Sequence, residues 1–253
     1  VISPKRFHDH LTGTLRAAKE NLSVYCVDSL IELMLLDKDL HAKSRLLSFL
    51  NSVIVPAFTL KKMKYGAINF HPGAPCHPGY APYSFALYEG AKSHGITVHE
   101  MVEKVDAGKI LALEFFAIDS ETRQAQLVDL CIEYSKQCLT RLAPILVRET
   151  LPPSIDHTWG PHKFTRAQFA DYCALPVNIS KSELQRRIRA FGAGDGEHCL
   201  FIWREGKKYL YQDVYQAGAN DDCLELYGNT FKAVDALQRK TPYLLNILEA
   251  YEK

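Results

Sequence analysis

The sequence predicts an α/β protein with a mostly parallel sheet, followed by a smaller C-terminal α+β region. Three observations predict it. Strand-like and helix-like segments alternate over the first 150 residues, as in stacked βα units. Leu127, Cys131, Tyr134, Cys138, Leu142 and Ile145 recur at spacings of three and four, marking one face of a long amphipathic helix. Leu151-Pro152-Pro153-Ser154 then has the chemistry of a linker, dividing the chain into domains 1–150 and 151–253.

The elements follow in order. Val1–Ser3 reads as the end of a strand, Phe7–Lys19 as helical, Leu22–Val27 as a strand and Leu30–Leu36 as helical. The apolar run Leu46–Val55, ending in β-branched residues, fits a buried parallel strand entering a turn at Pro56. Ala67–Phe70 is a short strand, and a loop dense in Pro and Gly runs from His71 to Pro82. Tyr83–Gly90 reads as a helix stopped by Gly90. Ile96–Val102 and Ile110–Ile118 read as strands. Beyond the linker, Ser180-Lys181-Ser182-Glu183 is a capping box opening a helix to about Phe191, with Gly192 closing it. Cys199–Arg204 and Lys207–Val214 form a hairpin around Glu205-Gly206. The tail from Phe231 to Lys253 is helical in pattern, interrupted at Pro242.

The composition narrows the function. Of 253 residues, 47% are apolar and 23% charged, which suits a packed globular chain and not a disordered one. No run of about 18 apolar residues exists, so no membrane span is expected. Val1 to Leu11 lacks the apolar core of a secretory signal. The sequence does not open on Met, so native residues are expected to precede it. Thirty Lys and Arg against twenty-nine Asp and Glu lack the basic excess of a nucleic-acid binder. Residues 151–253 alone are balanced at thirteen of each. Seven scattered cysteines with no CxxC pair read as reduced thiols of a cytoplasmic protein.

The densest polar signal is Asn69-Phe70-His71-Pro72-Gly73-Ala74-Pro75-Cys76-His77-Pro78-Gly79, directly after a strand. Ligands of open α/β sheets bind just past the strands' carboxyl ends. A period of two places Asn69 and His71 on one face. A carboxamide beside an imidazole suits a site that polarises a carbonyl, holds a developing oxyanion and carries a proton. The second signal runs from His94-Gly95-Ile96-Thr97-Val98-His99 to Val105-Asp106-Ala107-Gly108-Lys109-Ile110. It is a strand, a loop ending in an Asp-Ala-Gly turn, and another strand. Asp106 there is placed to orient the imidazole.

Asn-x-His-Pro after a strand, then Gly-x-Thr-Val-His and Val-Asp-x-Gly-x-Ile, resembles the 10-formyltetrahydrofolate-dependent formyltransferases. That family includes enzymes acting on glycinamide ribonucleotide, methionyl-tRNA and nucleotide sugars, and 10-formyltetrahydrofolate hydrolases. The resemblance covers about residues 1–150, with a weaker echo of longer members in Arg187-Ile188-Arg189-Ala190-Phe191. It implies a Rossmann-like domain with Asn69, His71 and Asp106 as the catalytic residues. It implies a folate pocket from Val53, Ile54 and Val55 together with Met101, Val102, Val105 and Asp106. Many members have Ser-Leu-Leu-Pro where this chain has Gly73-Ala74-Pro75-Cys76, a departure on the acceptor side. The stretch before Leu46 is also short for two full βα units. Gly73, the near-neutral charge and the small C-terminal part favour a nucleotide-linked amino sugar as acceptor over initiator tRNA. Hydrolysis of the folate, or folate binding without turnover, are the other functions considered. The implied mechanism has Asn69 and protonated His71 holding the oxyanion and Asp106 favouring the imidazolium.

Blander readings stand beside these. Asn69 and His71 would also serve to brace a Pro-rich loop, and Asp106 to make a turn. His71, Cys76 and His77 lack a fourth ligand at zinc spacing, so no metal is expected. Cys76 as a nucleophile lacks an implicated base. His94 and His99 read as strand residues, Arg186, Arg187 and Arg189 as a solvated helix face, and Trp159 and Trp203 as packing at the domain junction. A homodimer through exposed strand edges of the C-terminal hairpin is an expectation.

Overall fold

A computed structural model describes residues 1–36, 38–193, 199–212 and 223–234. A 3-10 turn at Lys5–Phe7 leads into α1 (His8–Ala18), followed by α2 (Leu30–Leu35), α3 (Lys38–His41), β1 (Leu46–Phe49), α4 (Ala57–Leu60), β2 (Ala67–His71) and α5 (Pro82–Glu89). Then come β3 (Ser93–Glu100), β4 (Ile110–Ala117) and the long α6 (Gln124–Leu146). The C-terminal part holds α7 (Arg166–Cys173), β5 (Ala174–Leu175), α8 (Lys181–Phe191), β6 (Phe201–Arg204), β7 (Lys207–Tyr211), β8 (Cys223–Leu226) and β9 (Asn229–Val234).

The first sheet has the order β1-β2-β3-β4. It is mixed, which corrects the expectation of a mostly parallel sheet. β1 and β2 are parallel, whereas β2–β3 and β3–β4 are antiparallel. The loop 101–109 folds β4 straight back along β3, and so direct a return makes an antiparallel pair. The parallel part extends outward only by isolated bridges, Ile2 pairing with both Val27 and Ser48. The strand expected over Leu22–Val27 is therefore reduced to one bridged residue. β1 stops at Phe49, short of Val55, because Leu50 turns into the left-handed region at φ 48°. α4 follows Pro56 directly.

α1 and α6 cover one face of this sheet. Phe7, Leu11, Leu15, Ile68, Phe70, Val98, Cys138, Leu139 and Ala143 form one apolar cluster there. Leu127, Cys131 and Cys138 of α6 are buried as expected; in its last turns Leu139, Ala143 and Leu146 are buried and Leu142 and Ile145 partly so.

The second sheet has the order β5-β6-β7-β9-β8. The hairpin at Glu205-Gly206 is present, both residues having positive φ (49° and 77°) as its tight turn requires. Ser180 caps α8 by accepting from the Glu183 N–H, but the Glu183 carboxylate takes Arg187 and Tyr88 and does not close the box. Residues 231–234 are strand, where a helix was expected, since Phe231 pairs with both Tyr211 and Leu224. The rest of that expected helix, from 235 with Pro242, lies outside the described residues, as do 213 and 214 of the hairpin. β6 is flanked by β5 and β7, and β7 by β6 and β9. The hairpin therefore lacks the free outer edges on which self-association through it rested.

One apolar cluster crosses the linker. Phe85 and Leu87 of α5, Ile96, Phe116, Phe169, Ile188, Phe191, Ile202 and Phe231 all belong to it. Arg186 Nε donates to Tyr88 O, Arg187 Nη1 to Tyr172 O, and Arg189 Nε to Thr122 O. These guanidinium groups tie α8 to its neighbours. Among the described residues no helix is long and apolar enough to cross a membrane.

Candidate active site

Alternation along β2 sends Asn69 and His71 to the face opposite Ile68 and Phe70. In the β2–β3 register Asn69 stands opposite His99, and His71 opposite Thr97. Four polar side chains thus line one patch of sheet. The loop after β3 carries Asp106 back over them. Asp106 sits at φ 47°, a left-handed conformation that Asp tolerates better than most residues. Two residues on, a Cβ at Gly108 would come within 2.0 Å of Glu100 O, so only glycine lets the loop press so closely on the end of β3.

Asp106 is the hub. Its Oδ2 lies 3.5 Å from His71 Nδ1 and accepts from the Gly79 N–H at 2.7 Å. Its Oδ1 lies 3.3 Å from His99 Nε2. Asn69 Nδ2 is 3.1 Å from that same His99 nitrogen. His99 Nδ1 donates to Glu100 O at 2.7 Å. His71, His99 and Asp106 are buried, and Asn69 is half-buried. Burial pushes the Asp106 carboxyl up, but His71, His99 and the Gly79 N–H outweigh it and hold the pKa at about 2. Burial lowers His71; Asp106 opposes that drop and His99 adds to it. His71 Nε2 donates to His77 O at 3.1 Å, so this ring edge holds the 72–79 loop. Thr97 Oγ1 donates to Gly73 O in the same loop. A Cβ at Gly73 would come within 2.5 Å of His71 Nε2, which gives that glycine a packing reason.

The segment after the linker roofs the cluster. Ile155 N–H donates to Ile110 O, Gly160 N–H to Pro75 O, and Phe164 N–H to Pro78 O. Lys163 Nζ donates to Val105 O. Trp159 Nε1 donates to Gly108 O at 2.8 Å, and its ring meets His99 edge-on at 4.9 Å and His71 at 5.7 Å. Sequence reasoning missed two of these residues as parts of the site. His99 could have been found only through its pairing with Asn69, which depends on register. Trp159 carried no signal beyond being a tryptophan after a linker.

The residues expected around a folate fall into two sets. Val53, Val55 and Met101 join one apolar cluster with Ile2, Leu46 and Ala67. Val55 is buried there, so its side chain is spent on the core and only its backbone is free to meet a ligand. Ile54, Val102 and Val105 are exposed apolar side chains, at 69%, 42% and 40%. Among the described residues no group of three or more His, Cys, Asp or Glu is arranged to hold a metal. His77 Nε2 instead faces Glu89 at 3.0 Å.

Comparison with known proteins gives a family. Residues 40–142 match the Formyl transferase family, which bears out the resemblance carried by the two motifs. A methionyl-tRNA formyltransferase of Lactobacillus gasseri is 32% identical over 180 residues, 68% of this chain and 52% of that protein. The chain thus spans about half the length of that relative. A sugar N-formyltransferase from a Shewanella species superposes with a TM-score of 0.71 at 18% identity, over 86% of this chain and 96% of that one. An N-formyltransferase from Helicobacter canadensis, solved with folinic acid and dTDP-3-aminofucose, gives 0.52 at 16% identity, over 82% and 78%. These two likenesses show a shared fold.

Proposed function

We propose that this chain transfers a formyl group from 10-formyltetrahydrofolate to a primary amine, with a nucleotide-linked amino sugar as the favoured acceptor. The observation that carries it is convergence: Asn69 and His71 from one motif and Asp106 from another, 35 residues after His71, meet on one face of β2 and β3. The catalytic domain in this reading is residues 1–150, roofed by the start of 151–253. The amine attacks in its neutral form. As the formyl carbon becomes tetrahedral, its oxygen gains charge and the half-buried Asn69 carboxamide donates to it. The bond to the folate nitrogen then breaks, that nitrogen takes up a proton in exchange for the one the amine loses, and tetrahydrofolate leaves. The amine's proton has a place to go, on His71 Nδ1 against the Asp106 carboxylate. An acid with a pKa near 2 is too weak a base to keep that proton, so Asp106 stabilises the imidazolium that forms. The exposed Ile54, Val102 and Val105 supply apolar surface for the pterin, with Val53, Val55 and Met101 behind them.

The sugar acceptor draws on the near-neutral charge, on Gly73 and on the sugar N-formyltransferase that shares the fold. The 32% identity to a methionyl-tRNA formyltransferase favours a second reading, with charged initiator tRNA as acceptor. The test is release of tetrahydrofolate with a panel of nucleotide amino sugars, amino acids and charged initiator tRNA. Release that depends on amino sugars supports the first reading. Release that depends on tRNA and falls steeply with salt moves the acceptor to tRNA. Release without any amine overturns transfer in favour of hydrolysis.

A further inference from the structure

A second reactive group lies beside the first. Cys76 is exposed, whereas Cys131, Cys138 and Cys173 are buried and Cys26, Cys199 and Cys223 half-buried. Cys76 Sγ lies 3.3 Å from His77 Nδ1. Across the same ring, His77 Nε2 lies 3.0 Å from Glu89 Oε2 at the end of α5. The carboxylate can only accept, so the ring proton belongs on Nε2 and the Nδ1 lone pair faces the thiol. His77 is buried, its ring stacked on Phe164 at 6.0 Å and 22°. A nucleophile, a base and a group that orients the base therefore stand in line. From the sequence, Cys76 lacked a base; in the fold, the base is the next residue, turned toward the thiol by α5.

We propose that Cys76 is a base-activated nucleophile and a covalent modification site for small soft electrophiles, with His77 as general base and Glu89 as its orienting residue. Sγ attacks an electrophilic carbon while its proton passes to His77 Nδ1. The S–C bond forms, the bond from carbon to the leaving group breaks, and the leaving group departs with that electron pair. The imidazolium then gives its proton to solvent. Burial pushes the Cys76 thiol up, its own backbone N–H works against this, and Glu89 adds to the rise. The resting group is thus a thiol, activated at the moment of attack. The titratable groups facing His77 are Cys76 in its own loop, Glu89 of α5, His71 of β2 and His94 of β3. The proposal does not depend on formyl transfer.

Iodoacetamide labelling of the intact protein, read at each cysteine by peptide mass spectrometry, tests it. Cys76 is expected to label first. His77→Asn should slow its labelling at neutral pH about a hundredfold, the low end of the roughly 10²–10⁴ of a positioned general base. Glu89→Gln, a conservative change at a half-exposed carboxylate, should slow it by less. An unchanged rate in Glu89→Gln, or labelling of Cys76 in the unaltered protein no faster than that of Cys26, Cys199 and Cys223, overturns the proposal, whether or not His77→Asn folds.

Discussion

The two faces of β2 and β3 carry opposite chemistry within the same strands. Ile68, Phe70 and Val98 pack under α1 and α6, while Asn69, His71 and His99 turn the other way beneath Trp159. Histidines make the contrast sharpest. His71 and His99 share a carboxylate, Asp106. His94, on the α6 side, has its ring edge-on to Phe116 at 6.0 Å and donates from Nε2 to Pro72 O at 3.1 Å. Its Nδ1 is buried without a partner. Burial drives its pKa down to about 3, with the Pro72 carbonyl opposing and His77 and His71 adding to the fall. The same side chain is thus buried without a charged partner under the helix and beside a carboxylate under Trp159.

Acid should act on the fold in two pH ranges. His94 has a folded pKa below its ordinary 6.5, so the unfolded chain takes the proton first. Its contribution is complete above 6.5 and is lost as pH falls toward about 3, amounting to roughly 5 kcal/mol over that span. His71, also lowered, adds to the same loss. Asp106 has a folded pKa of about 2 against an ordinary 3.8, so its contribution fades only below 3.8. Urea unfolding at a series of pH values should show His94→Leu flattening the upper part of the curve. Parallel curves for the two proteins would contradict this.

Phe70→Ala should remove about 3–5 kcal/mol of stability, as expected for a large ring deleted from a packed core, through the Phe49–Phe70 contact at 5.3 Å. Any Phe70→Ala protein that remains folded should keep most of its formyl transfer. Asn69→Ala, one residue away, should do the reverse. It should cost about 10²–10³ in turnover, the usual loss of one oxyanion donor, with unfolding little changed. Equal effects on both properties in both variants would erase the distinction between the faces. The smallest effect belongs to the roof. Trp159→Phe keeps the ring and loses the bond to Gly108 O, costing about 1 kcal/mol. Trp159→Ala opens His71 to water, and its pKa, followed by NMR, should move up; an unmoved His71 would show that the indole shields nothing.

Local chemistry made much of this readable in the sequence. Gly90 at φ 73° closes α5, Ser180 opens α8, and Glu205-Gly206 turns the hairpin, all from residues adjacent in the chain. What escaped depends on partners far away. Strand direction after β2, the strand at 231–234 and the His99–Asn69 pairing are set by register between distant segments. Asn69, His71 and Asp106 were legible because their motifs are dense and polar. Trp159 was not, because a strap that crosses 51 positions of sequence to reach Gly108 leaves no local pattern.

The central claim is that the chemistry runs through the cluster centred on Asp106. The most direct test is turnover of 10-formyltetrahydrofolate, with the accepting amine present, by Asp106→Asn. The substitution keeps the shape of the side chain and removes the charge between His71 and His99. A drop of about 10² or more in turnover, in a protein that unfolds as the parent does at neutral pH, is the predicted result. Turnover close to that of the unaltered protein would place the chemistry elsewhere.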